Sequence, residues 1–564
     1  MKTNGYEEVA ADKGNHSPLL GRGAGGEVSL PSLAVGVEDE VFSALSAELQ
    51  RSMDSLRIEG QPAPFLIDYR LKRSRNLSVT AMDGELLQFD LLPWIQTFEA
   101  EVILGDYHRS SQQQPEPRLR GTSFPMALDY DNLRRIAWFT TDASYKQAIA
   151  NYEAKQQQLK KLTLPKDEEA LDDFFPAQPV TSIQERPAEA QDLHTDELTA
   201  YVRRLSLIAR EFPALTESHA DLSVRQADLY RLTSEGVRVA QAQPDKITIG
   251  FTFHLYHRPN GGNSSSTSDH QYATVAAALA DSTRFMQHVR EYISRRLAVL
   301  ADSVAEDYYV GPVLFEDGAC KVIYNRASGG RLHFRAWHSF TESDRAIYVK
   351  RNRKIIDEKL TIRQDPTLSH WNGQPLVGYF TADANGQAPQ AVTLVERGIF
   401  RGQLCGATPA LGTSKPTGNL RFNNPYNING ILGGQMGIST APGVLRIESS
   451  KTMPLSKMRK QLLRDAQREG YDHAYITRDG FLYRISVKDG TETPIGFSDI
   501  TPSDQHLRHI SALSTEQKAV THTENGVAPF SIVGPKAMLL NDIEVPPQTP
   551  PQIAKPVLTF PNKR

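Results

Sequence analysis

Apolar residues near the start of the chain recur at helical spacing. They fall three or four positions apart at Val41, Leu45, Leu49, Met53 and Leu56. This spacing predicts one amphipathic helix over 41–56, because residues three and four apart share a helix face. Residues 1–40 contain few apolar positions and many glycines and charges, so we expect a disordered leader there.

Short runs typical of β-strands follow the first helix, at 65–71, 76–82 and 98–107. In the third run apolar residues alternate with polar ones, which is the period of a half-buried strand. A helix is predicted over 130–162. The segment 163–190 combines acidic residues with prolines and predicts a polar surface excursion.

The next pattern predicts a helix over 195–210 and two long strand-like pieces at 219–243 and 246–258. Residues 260–269 have the composition of a loop, and the helical spacing that follows predicts a long helix over 270–300. We expect this helix to close an N-terminal α+β domain of residues 41–303.

Residues 304–564 are predicted to form a β-rich C-terminal domain, interrupted by one amphipathic helix over 456–469. No period of 20–50 residues repeats, so a solenoid or propeller is excluded. The predicted fold class is α+β in two lobes.

Composition narrows the functional classes. The 564 residues carry a net charge of −3, whereas a dedicated nucleic-acid binder would show a basic excess. No apolar run approaches 20 residues, which argues against a membrane span. The first residues are too polar for a secretory signal, so a cytoplasmic location is the default expectation. Two cysteines cannot form a disulfide framework.

Three pairs of histidines are close in sequence: His254/His257, His333/His338 and His506/His509. The first two pairs lie in strand-like runs at odd spacings, which place the partners on opposite faces. The third pair would share a helix face, but no adjacent Glu or Cys completes a zinc ligand set. The chain contains neither H-E-x-x-H nor H-E-x-x-x-H.

Cys320 is the strongest candidate nucleophile from the residues alone. It precedes Lys321 at a predicted helix start, and both a helix N-terminus and a neighbouring cation lower a thiol pKa. The alternative is a small buried residue in a packed helix. Cys405 ends an apolar strand and is interpreted as packing. There is no G-x-S-x-G elbow and no P-loop, so spacing alone demonstrates no catalysis.

Five segments, in order, resemble the TldD/PmbA family of metallopeptidase-related proteins. The second reads AEDYYVGPVLFEDGAC, and the third contains DANGQAPQAVTLVERGIFRG at 383–402. The five segments occupy 44–71, 305–320, 358–404, 414–421 and 530–545. The resemblance implies a two-lobed α+β protein with a β-rich C-terminal lobe, which agrees with the N-terminal α/β lobe and long closing helix predicted from the pattern.

The resemblance also implies a chemistry. Competent members carry H-E-x-x-x-H on a helix shortly after the G-P-V-L-F-E-like strand, and a Cys near the C-terminus. These three ligands bind zinc, and the Glu is the general base toward the metal-activated water. Such members cleave unfolded or extended peptides and are typically paired with a sister subunit that lacks the motif.

The sequence departs from the family at these ligand positions. The stretch after Glu316 reads DGACKVIYNRASGG, without His or Glu, and the C-terminal stretch THTENGVAPFSIVG lacks Cys. We therefore expect no catalytic, cofactor-binding or metal-binding residue in this chain, with zinc only in a partner. The resemblance is closer to the motif-less PmbA type, also called TldE.

The functional expectation is a non-catalytic subunit of a TldD/PmbA-type zinc metalloprotease complex that acts on unfolded or extended peptides. Its partner would be a TldD-like zinc-containing sister subunit, or the chain would associate with itself. Two alternatives stay open: a homo-oligomeric peptide-binding or scaffold protein without protease activity, and a divergent hydrolase that uses Cys320.

Overall fold

The structure is a computed structural model. It describes residues 37–112, 122–124, 128–161, 166–169, 171–186, 190, 192–255, 264–301, 308–328, 352–408, 415–422, 438–497, 500–522 and 528–547. Two lobes are used below: the N-terminal lobe within 37–301 and the C-terminal lobe within 308–547.

The N-terminal lobe combines helices with one large sheet. Its helices are α1 (Val37–Ser55), α2 (Tyr130–Leu159), α3 (Lys166–Glu169), α4 (Thr195–Ser206), α5 (Val275–Ala280) and α6 (Ser282–Ala301). A 3-10 turn, Leu207–Glu211, follows α4. Its strands are β1 (Leu66–Met82), β2 (Glu85–Leu91), β3 (Ile95–Ile103), β4 (Thr122–Phe124), β5 (Val180–Gln184), β6 (Leu215–Thr233), β7 (Val237–Ala242), β8 (Lys246–Leu255) and β9 (Ser264–Tyr272).

Two long strands form the centre of this sheet. β1 and β6 pair antiparallel from Asp68 opposite Thr233 to Ala81 opposite Ala220. Along one half of this central pair the strand order is β4-β3-β1-β6-β7-β5. Along the other half β2 pairs with β1, β8 pairs with β6, and β9 pairs with β8. The described strands thus make one nine-stranded sheet whose two halves share their central pair.

Helices cover one face of the sheet in two groups. α1 and α2 pack on the half that contains Tyr69, Leu71 and Tyr230, whereas α4, α5 and α6 pack on the half that contains Val79 and Phe251. Tyr69, Leu71 and Val79 point to the same side because residues two apart on a strand share a face. The opposite face of β1 carries a buried row of polar residues that includes Asp68 and Arg70.

The C-terminal lobe is β-rich. Its elements are β10 (Tyr309–Phe315), α7 (Ala319–Ser328), β11 (Leu360–Gln364), β12 (His370–Trp371), β13 (Gln374–Pro375), β14 (Val392–Glu396), β15 (Ile399–Phe400), β16 (Leu420–Phe422), β17 (Ile438–Thr440), β18 (Val444–Ser449), α8 (Leu455–Arg468), β19 (His473–Arg478), β20 (Phe481–Ser486), β21 (Glu492–Phe497), α9 (Asp504–Leu507), β22 (Ala512–Leu513), β23 (Gln517–His522), β24 (Phe530–Pro535) and β25 (Met538–Val545).

Two sheets share the main core of this lobe. One has the order β21-β20-β19-β10-β25-β22 and the other β15-β14-β11-β18-β24-β23. Their inner faces and the buried side of α7 form one hydrophobic cluster. α8 packs on the outer face of the first sheet through Met458 and Leu462. This arrangement places α7 next to both sheets.

The structure confirms the α+β class in two lobes, and it confirms the helices predicted at 41–56, 130–162 and 456–469 to within a few residues at their ends. The helix predicted over 195–210 is α4 followed by the 3-10 turn. The exact domain boundary at 303/304 falls in 302–307, outside the described residues, and stays a prediction. The leader predicted over 1–40 lies outside the described residues over 1–36 and stays a prediction there, but its end at residue 40 was wrong, because residues 37–40 form the first turn of α1.

Three predictions were wrong in detail. The runs 65–71 and 76–82 are one continuous strand, because β6 pairs with β1 without interruption and two of the polar residues between the runs, Lys72 and Ser74, are buried. Residues 264–272 were predicted as the end of a loop and the start of a helix, but they form β9. Their backbone groups pair with β8, and this pairing does not require apolar side chains. Within the predicted excursion 163–190, β5 pairs parallel with β7, so this part belongs to the sheet.

The helices were also compared with the length and apolarity that a membrane crossing requires. Within the described part of the chain, no helix meets both requirements.

Candidate functional site

The first candidate site is the junction between β10 and α7, where the family resemblance implies a zinc-binding helix. β10 lies between β19 and β25 near the middle of its sheet. The chain leaves β10 at Phe315 and turns through Asp317, whose φ is 62°. α7 then begins at Ala319. A helix therefore follows this strand after three residues, as expected.

The inner side of α7 is apolar. Its buried residues follow one another at spacings of three and four and join the main core of the lobe: Cys320, Ile323, Tyr324 and Ala327. If Glu316 took the place of the Glu in H-E-x-x-x-H, the two histidine positions would fall on Phe315 and Cys320. Both are buried, at 4% and 0% exposure. Neither an imidazole nor a carboxylate extends from this side of the helix.

Glu316 is itself buried and held by two arginines. Arg459 Nε donates to Glu316 Oε1 at 2.8 Å, and Arg478 Nη1 donates to Oε2 at 3.1 Å. Both arginines also pair with Glu492, at 2.9 and 2.7 Å. Charge-assisted bonds of this kind hold a carboxylate in one orientation. Glu316 therefore closes a structural ion network between β10, α8, β19 and β21.

Cys320 does not have the environment of a reactive thiol. Its side chain is fully buried, and the nearest acceptor of its S–H is the Lys518 carbonyl at 4.0 Å. Burial raises the pKa of the Cys320 thiol to about 11, although the Lys321 backbone N–H acts in the opposite direction. The helix start was predicted correctly, and of the two interpretations of Cys320 the structure agrees with the buried residue in a packed helix, because desolvation outweighs the features that lower a thiol pKa.

The C-terminal stretch that the resemblance pairs with the zinc helix does lie against α7. It contributes β23 and β24, which pair antiparallel with each other. His522 at the end of β23 packs against Tyr324 of α7 and Phe530 of β24, with ring centroids 5.2 and 4.7 Å away. The contact between helix and C-terminal strands is therefore made by aromatic packing.

The histidine pairs do not assemble a metal site in the described residues. His254 lies in β8, and its partner His257 lies outside the described residues, as do His333 and His338. α9 ends at Leu507, so His509 is not on the helix, and His506 accepts a hydrogen bond from Ser503 N at 3.1 Å. Across the part of the chain that is described, no three His, Cys, Asp or Glu side chains are grouped to hold a metal. These residues do not fit the zinc site that the family implies.

A second candidate site lies where the polar face of the N-terminal sheet meets the C-terminal lobe. Arg70 Nη2 lies 2.6 Å from Asp68 Oδ2 and 2.7 Å from Glu101 Oε2. Arg231 Nε lies 3.0 Å from Asp68 Oδ1. All four side chains are buried, so the charges are neutralised inside the protein by each other.

The C-terminal lobe joins this cluster through the turn at Asp383. The Asp383 carboxylate accepts backbone N–H groups from Asn385 at 2.8 Å, Gln387 at 3.0 Å and Leu420 at 3.0 Å. The turn presents Asn385 Oδ1 and the Ala384 carbonyl to the Arg231 guanidinium, the latter at 2.8 Å. The family-like segment at 383–402 therefore begins with a turn that connects the two lobes.

A small cavity of about 40 Å³ lies beside the cluster. Its lining includes Asp68, Arg70, Glu101 and Arg231 from the sheet and Asn385 from the turn. This volume has room for a few water molecules rather than for a peptide side chain of ordinary size. The geometry therefore indicates a lobe junction and not a substrate pocket.

Burial and pairing set the protonation of these groups. Burial alone would raise the pKa of Asp68, but the Arg231 and Arg70 guanidinium groups bring it below its ordinary value. Burial raises the pKa of Glu101 in spite of Arg70. It also raises the pKa of Asp383 to about 6, against three backbone N–H donors. No proton-transfer partner is provided for these carboxyls among the described residues of the junction.

Sequence reasoning missed this junction. The signal was available in part, because Asp68, Arg70 and Lys72 alternate with apolar residues in β1. Alternation predicts a polar face but gives no sign that a second lobe covers it. Only the packing of the two lobes shows that these charges are buried.

Comparisons with known proteins agree with this architecture. Residues 310–458 match the family model described as the PmbA/TldA metallopeptidase C-terminal domain. A search of curated protein sequences found no match.

Two solved structures resemble nearly the whole chain. TldE from Thermococcus kodakarensis aligns with 89% of this chain and 100% of its own, at 14% identity and a TM-score of 0.54. A proposed modulator of DNA gyrase from Thermotoga maritima aligns with 90% of this chain and 99% of its own, at 12% identity and a TM-score of 0.52. These likenesses establish a shared fold, and the resemblance to the TldD/PmbA family is confirmed.

Proposed function

We propose, from the match of residues 310–458 to the PmbA/TldA metallopeptidase C-terminal domain, that this chain is a family member and a subunit without a zinc site of its own. It would belong to a zinc metallopeptidase assembly that acts on unfolded or extended peptides. A sister subunit with an intact H-E-x-x-x-H helix would supply the metal and the general base.

The observation that carries this proposal is the state of the β10–α7 junction. The strand and the helix are present, but the Glu316 carboxylate accepts hydrogen bonds from Arg459 and Arg478 and is not open to a metal-bound water. A carboxylate whose two oxygens already accept hydrogen bonds from two guanidinium groups is a poor general base, because both oxygens are occupied and its orientation is fixed. The junction has the fold of the family and a structural ion network at its centre.

A subunit can retain this fold and still contribute to peptide binding. Extended peptides bind β-rich proteins by adding a strand to a sheet edge, and this needs backbone geometry more than particular side chains. The C-terminal sheets have edge strands at β15, β21 and β23 among the described residues. Loss of the metal ligands leaves such edges unchanged.

The alternative of a hydrolase that uses Cys320 is disfavoured. A thiol whose pKa is raised to about 11 is protonated at neutral pH, and its burial leaves no approach for a substrate carbonyl. The alternative of a peptide-binding scaffold without a protease partner differs from the proposal only in the missing partner. The experiment below separates these two functions.

Two measurements test the proposal. The zinc content of the purified chain is expected to be far below one ion per chain after dialysis, and one tightly held zinc per chain would contradict the proposal. Co-expression with a sister protein that contains H-E-x-x-x-H should give a co-purifying complex that cleaves an unfolded protein, whereas the chain alone should not. Cleavage by the sister alone at the rate of the complex would contradict a role for this chain.

Matched variants locate the catalytic machinery. In the complex, changing the Glu of the sister's motif to Gln should abolish cleavage without preventing co-purification. Glu316→Gln in this chain should leave the cleavage rate of the folded complex within about twofold, since its role is structural. A large loss of rate in a complex of unchanged stability would assign Glu316 to catalysis and contradict the proposal.

A further inference from the structure

The face of the N-terminal sheet that the helices cover has a polar centre. Arg73 and Arg75 stand on this face of β1, because they follow Leu71 at intervals of two residues. Leu71 belongs to the hydrophobic cluster that includes α1 and α2, and Leu77 belongs to the cluster that includes α4, α5 and α6. The two arginines therefore lie between the two helix groups, and both are half-buried.

We propose that this centre binds the C-terminal residue of a peptide. The Arg73 guanidinium donates to the carboxylate of that residue, Gln96 Oε1 accepts its amide N–H, and the Trp94 indole lies beside it. The inference goes beyond the proposed function and does not rest on it, because it assigns a binding site in the N-terminal lobe that is present with or without a sister subunit.

Arg73 is a cation that lacks an anionic partner. Its buried Nε donates no hydrogen bond, and no ion pair of Arg73 is found, within the part of the chain that is described. Asp228 stands opposite Arg73 on β6, but its carboxylate pairs with Arg186 at 3.1 Å. A buried donor without an acceptor costs free energy, so the Arg73 guanidinium favours a ligand that supplies a negatively charged acceptor.

Gln96 supplies a second unpaired group at the same place. It stands directly opposite Arg73 on β3, so the two side chains are neighbours on one face of the sheet. Gln96 is only 6% exposed, and its Oε1 accepts no hydrogen bond from the described residues. Buried side-chain oxygens normally have a donor, so Gln96 favours a ligand that also supplies an N–H or O–H.

Trp94 positions the arginines and provides the apolar surface of the site. The guanidinium carbons of Arg73 and Arg75 lie 4.9 and 5.0 Å from the centroid of its ring. Burial lowers the pKa of Arg75, and the nearby charge of Arg73 acts in the same direction. Two guanidinium groups at one ring favour an anion there and disfavour a further cation.

The two unpaired groups define the chemistry of the ligand. Arg73 requires a carboxylate, whose planar shape matches the guanidinium fork, and Gln96 requires a donor next to it. The C-terminal residue of a peptide carries both groups, because its own amide N–H is adjacent to the terminal carboxylate. A free amino acid carries an ammonium instead, which would lie beside the charges of Arg73 and Arg75.

A series of small ligands tests this assignment on the purified full chain. N-acetylalanine carries the carboxylate and the adjacent N–H, N-acetylproline lacks the N–H, and N-acetylalanine amide lacks the carboxylate. N-acetylalanine should raise the midpoint of thermal unfolding, at an ionic strength held constant with sodium chloride. N-acetylproline should bind about tenfold more weakly because one hydrogen bond is lost, and the amide and free alanine more weakly still.

Three variants assign the contacts. Arg73→Gln should abolish the response to N-acetylalanine and leave the midpoint of the ligand-free protein close to that of the wild type. Gln96→Leu should bind N-acetylalanine and N-acetylproline equally, because it removes the acceptor of the N–H. Arg238→Gln is the matched control and should keep the full response: Arg238 also lies over an aromatic ring, that of Phe42 at 4.4 Å, but it pairs with Asp39 at 3.9 Å.

Circular dichroism verifies the folding of each variant, and the ligand series on the wild type decides if Arg73→Gln fails to fold. The proposal is overturned if N-acetylalanine and its amide act alike, if sodium chloride alone gives the same shift, or if folded Arg73→Gln keeps the response. Equal binding of N-acetylalanine and N-acetylproline to the wild type, or tighter binding of free alanine, would also overturn it. Zinc content and cleavage by a complex test the proposed function alone and do not affect these outcomes.

Discussion

At the scale of single residues, Cys320 shows how burial decides between two interpretations that the sequence leaves open. Its position at the start of α7 beside Lys321 is as predicted, and both features favour a thiolate. The core of the C-terminal lobe surrounds the side chain, and the resulting desolvation raises its pKa to about 11. Neighbours along the chain can be identified from the sequence, whereas the depth of a side chain depends on elements far away in sequence.

Cys320 should make the stability of the protein depend on alkaline pH. Its pKa is raised in the folded state, so between about pH 9 and 11 the unfolded thiol loses its proton while the folded thiol keeps it. The free energy of unfolding should therefore fall as the pH rises through this window, by up to about 2–3 kcal/mol from this residue. Urea unfolding at pH 8 and pH 10.5 measures the fall.

The matched control is Cys320→Ala. In this variant the free energy of unfolding should decrease less between pH 8 and pH 10.5, because the thiol no longer contributes to the decrease. The native protein should also resist iodoacetamide at Cys320 near pH 7.5 and react once unfolded, as measured by peptide mass spectrometry. Rapid labelling of the native protein would show that the thiol is accessible and would contradict this account.

At the scale of elements, the turn between β14 and β15 connects several parts of the C-terminal lobe. Arg397 and Gly398 have φ values of 44° and 76°, the left-handed conformation of a tight hairpin turn. The Gly398 carbonyl accepts the Ile355 N–H, and its own N–H donates to the Leu360 carbonyl, each at 2.8 Å. A Cβ at this position would lie 2.4 Å from the Ile356 carbonyl oxygen.

Gly398→Ala should therefore destabilise the protein more than a glycine replacement of similar backbone conformation. Gly480 is the control, since its φ is 78° and a Cβ there would meet nothing within 4 Å. Gly480→Ala should cost about 1 kcal/mol for the left-handed backbone, and Gly398→Ala roughly 3 kcal/mol because the steric contact adds strain. Thermal unfolding of both variants measures the difference. Equal losses would exclude the steric contact as a cause.

An element could be predicted where its residue pattern depends only on neighbours along the chain. α1 and α8 each bury an apolar stripe, so the spacing of apolar residues identified them. β1 and β9 were misassigned because their polar residues are stabilised by strand pairing, which depends on residues distant in sequence. The family resemblance predicted that a helix follows strand β10. It did not predict the ion pairs of Glu316, because Arg459 and Arg478 lie more than a hundred residues away in sequence.

At the scale of the whole molecule, buried charges join the two lobes. Asp68 of the N-terminal sheet pairs with Arg231, and the same guanidinium group donates to the Ala384 carbonyl of the C-terminal lobe. Because these groups are removed from water, the loss of one partner leaves an uncompensated charge. The sequence could not predict this contact, since each half looks like an ordinary polar segment.

Arg231→Met should lower the free energy of unfolding by about 3–5 kcal/mol, because it removes one partner from a buried pair. Arg290→Met is the matched control: Arg290 pairs with Glu211 at 2.8 Å on the surface, where such a pair contributes about 0–1 kcal/mol. Denaturant unfolding compares the two. Hydrogen exchange at 381–387 should also increase in Arg231→Met alone, and an unchanged exchange rate there would argue against a lobe contact through Arg231.

The shared central strands of the N-terminal sheet also limit how this lobe can be divided. β1 and β6 run beneath both groups of helices, so each strand contributes side chains to two hydrophobic clusters. A split-protein reporter or a shortened fragment that separates α1 and α2 from α4 to α6 would have to break one of these strands. A fragment used to express this lobe should therefore keep residues 37 to 301 together.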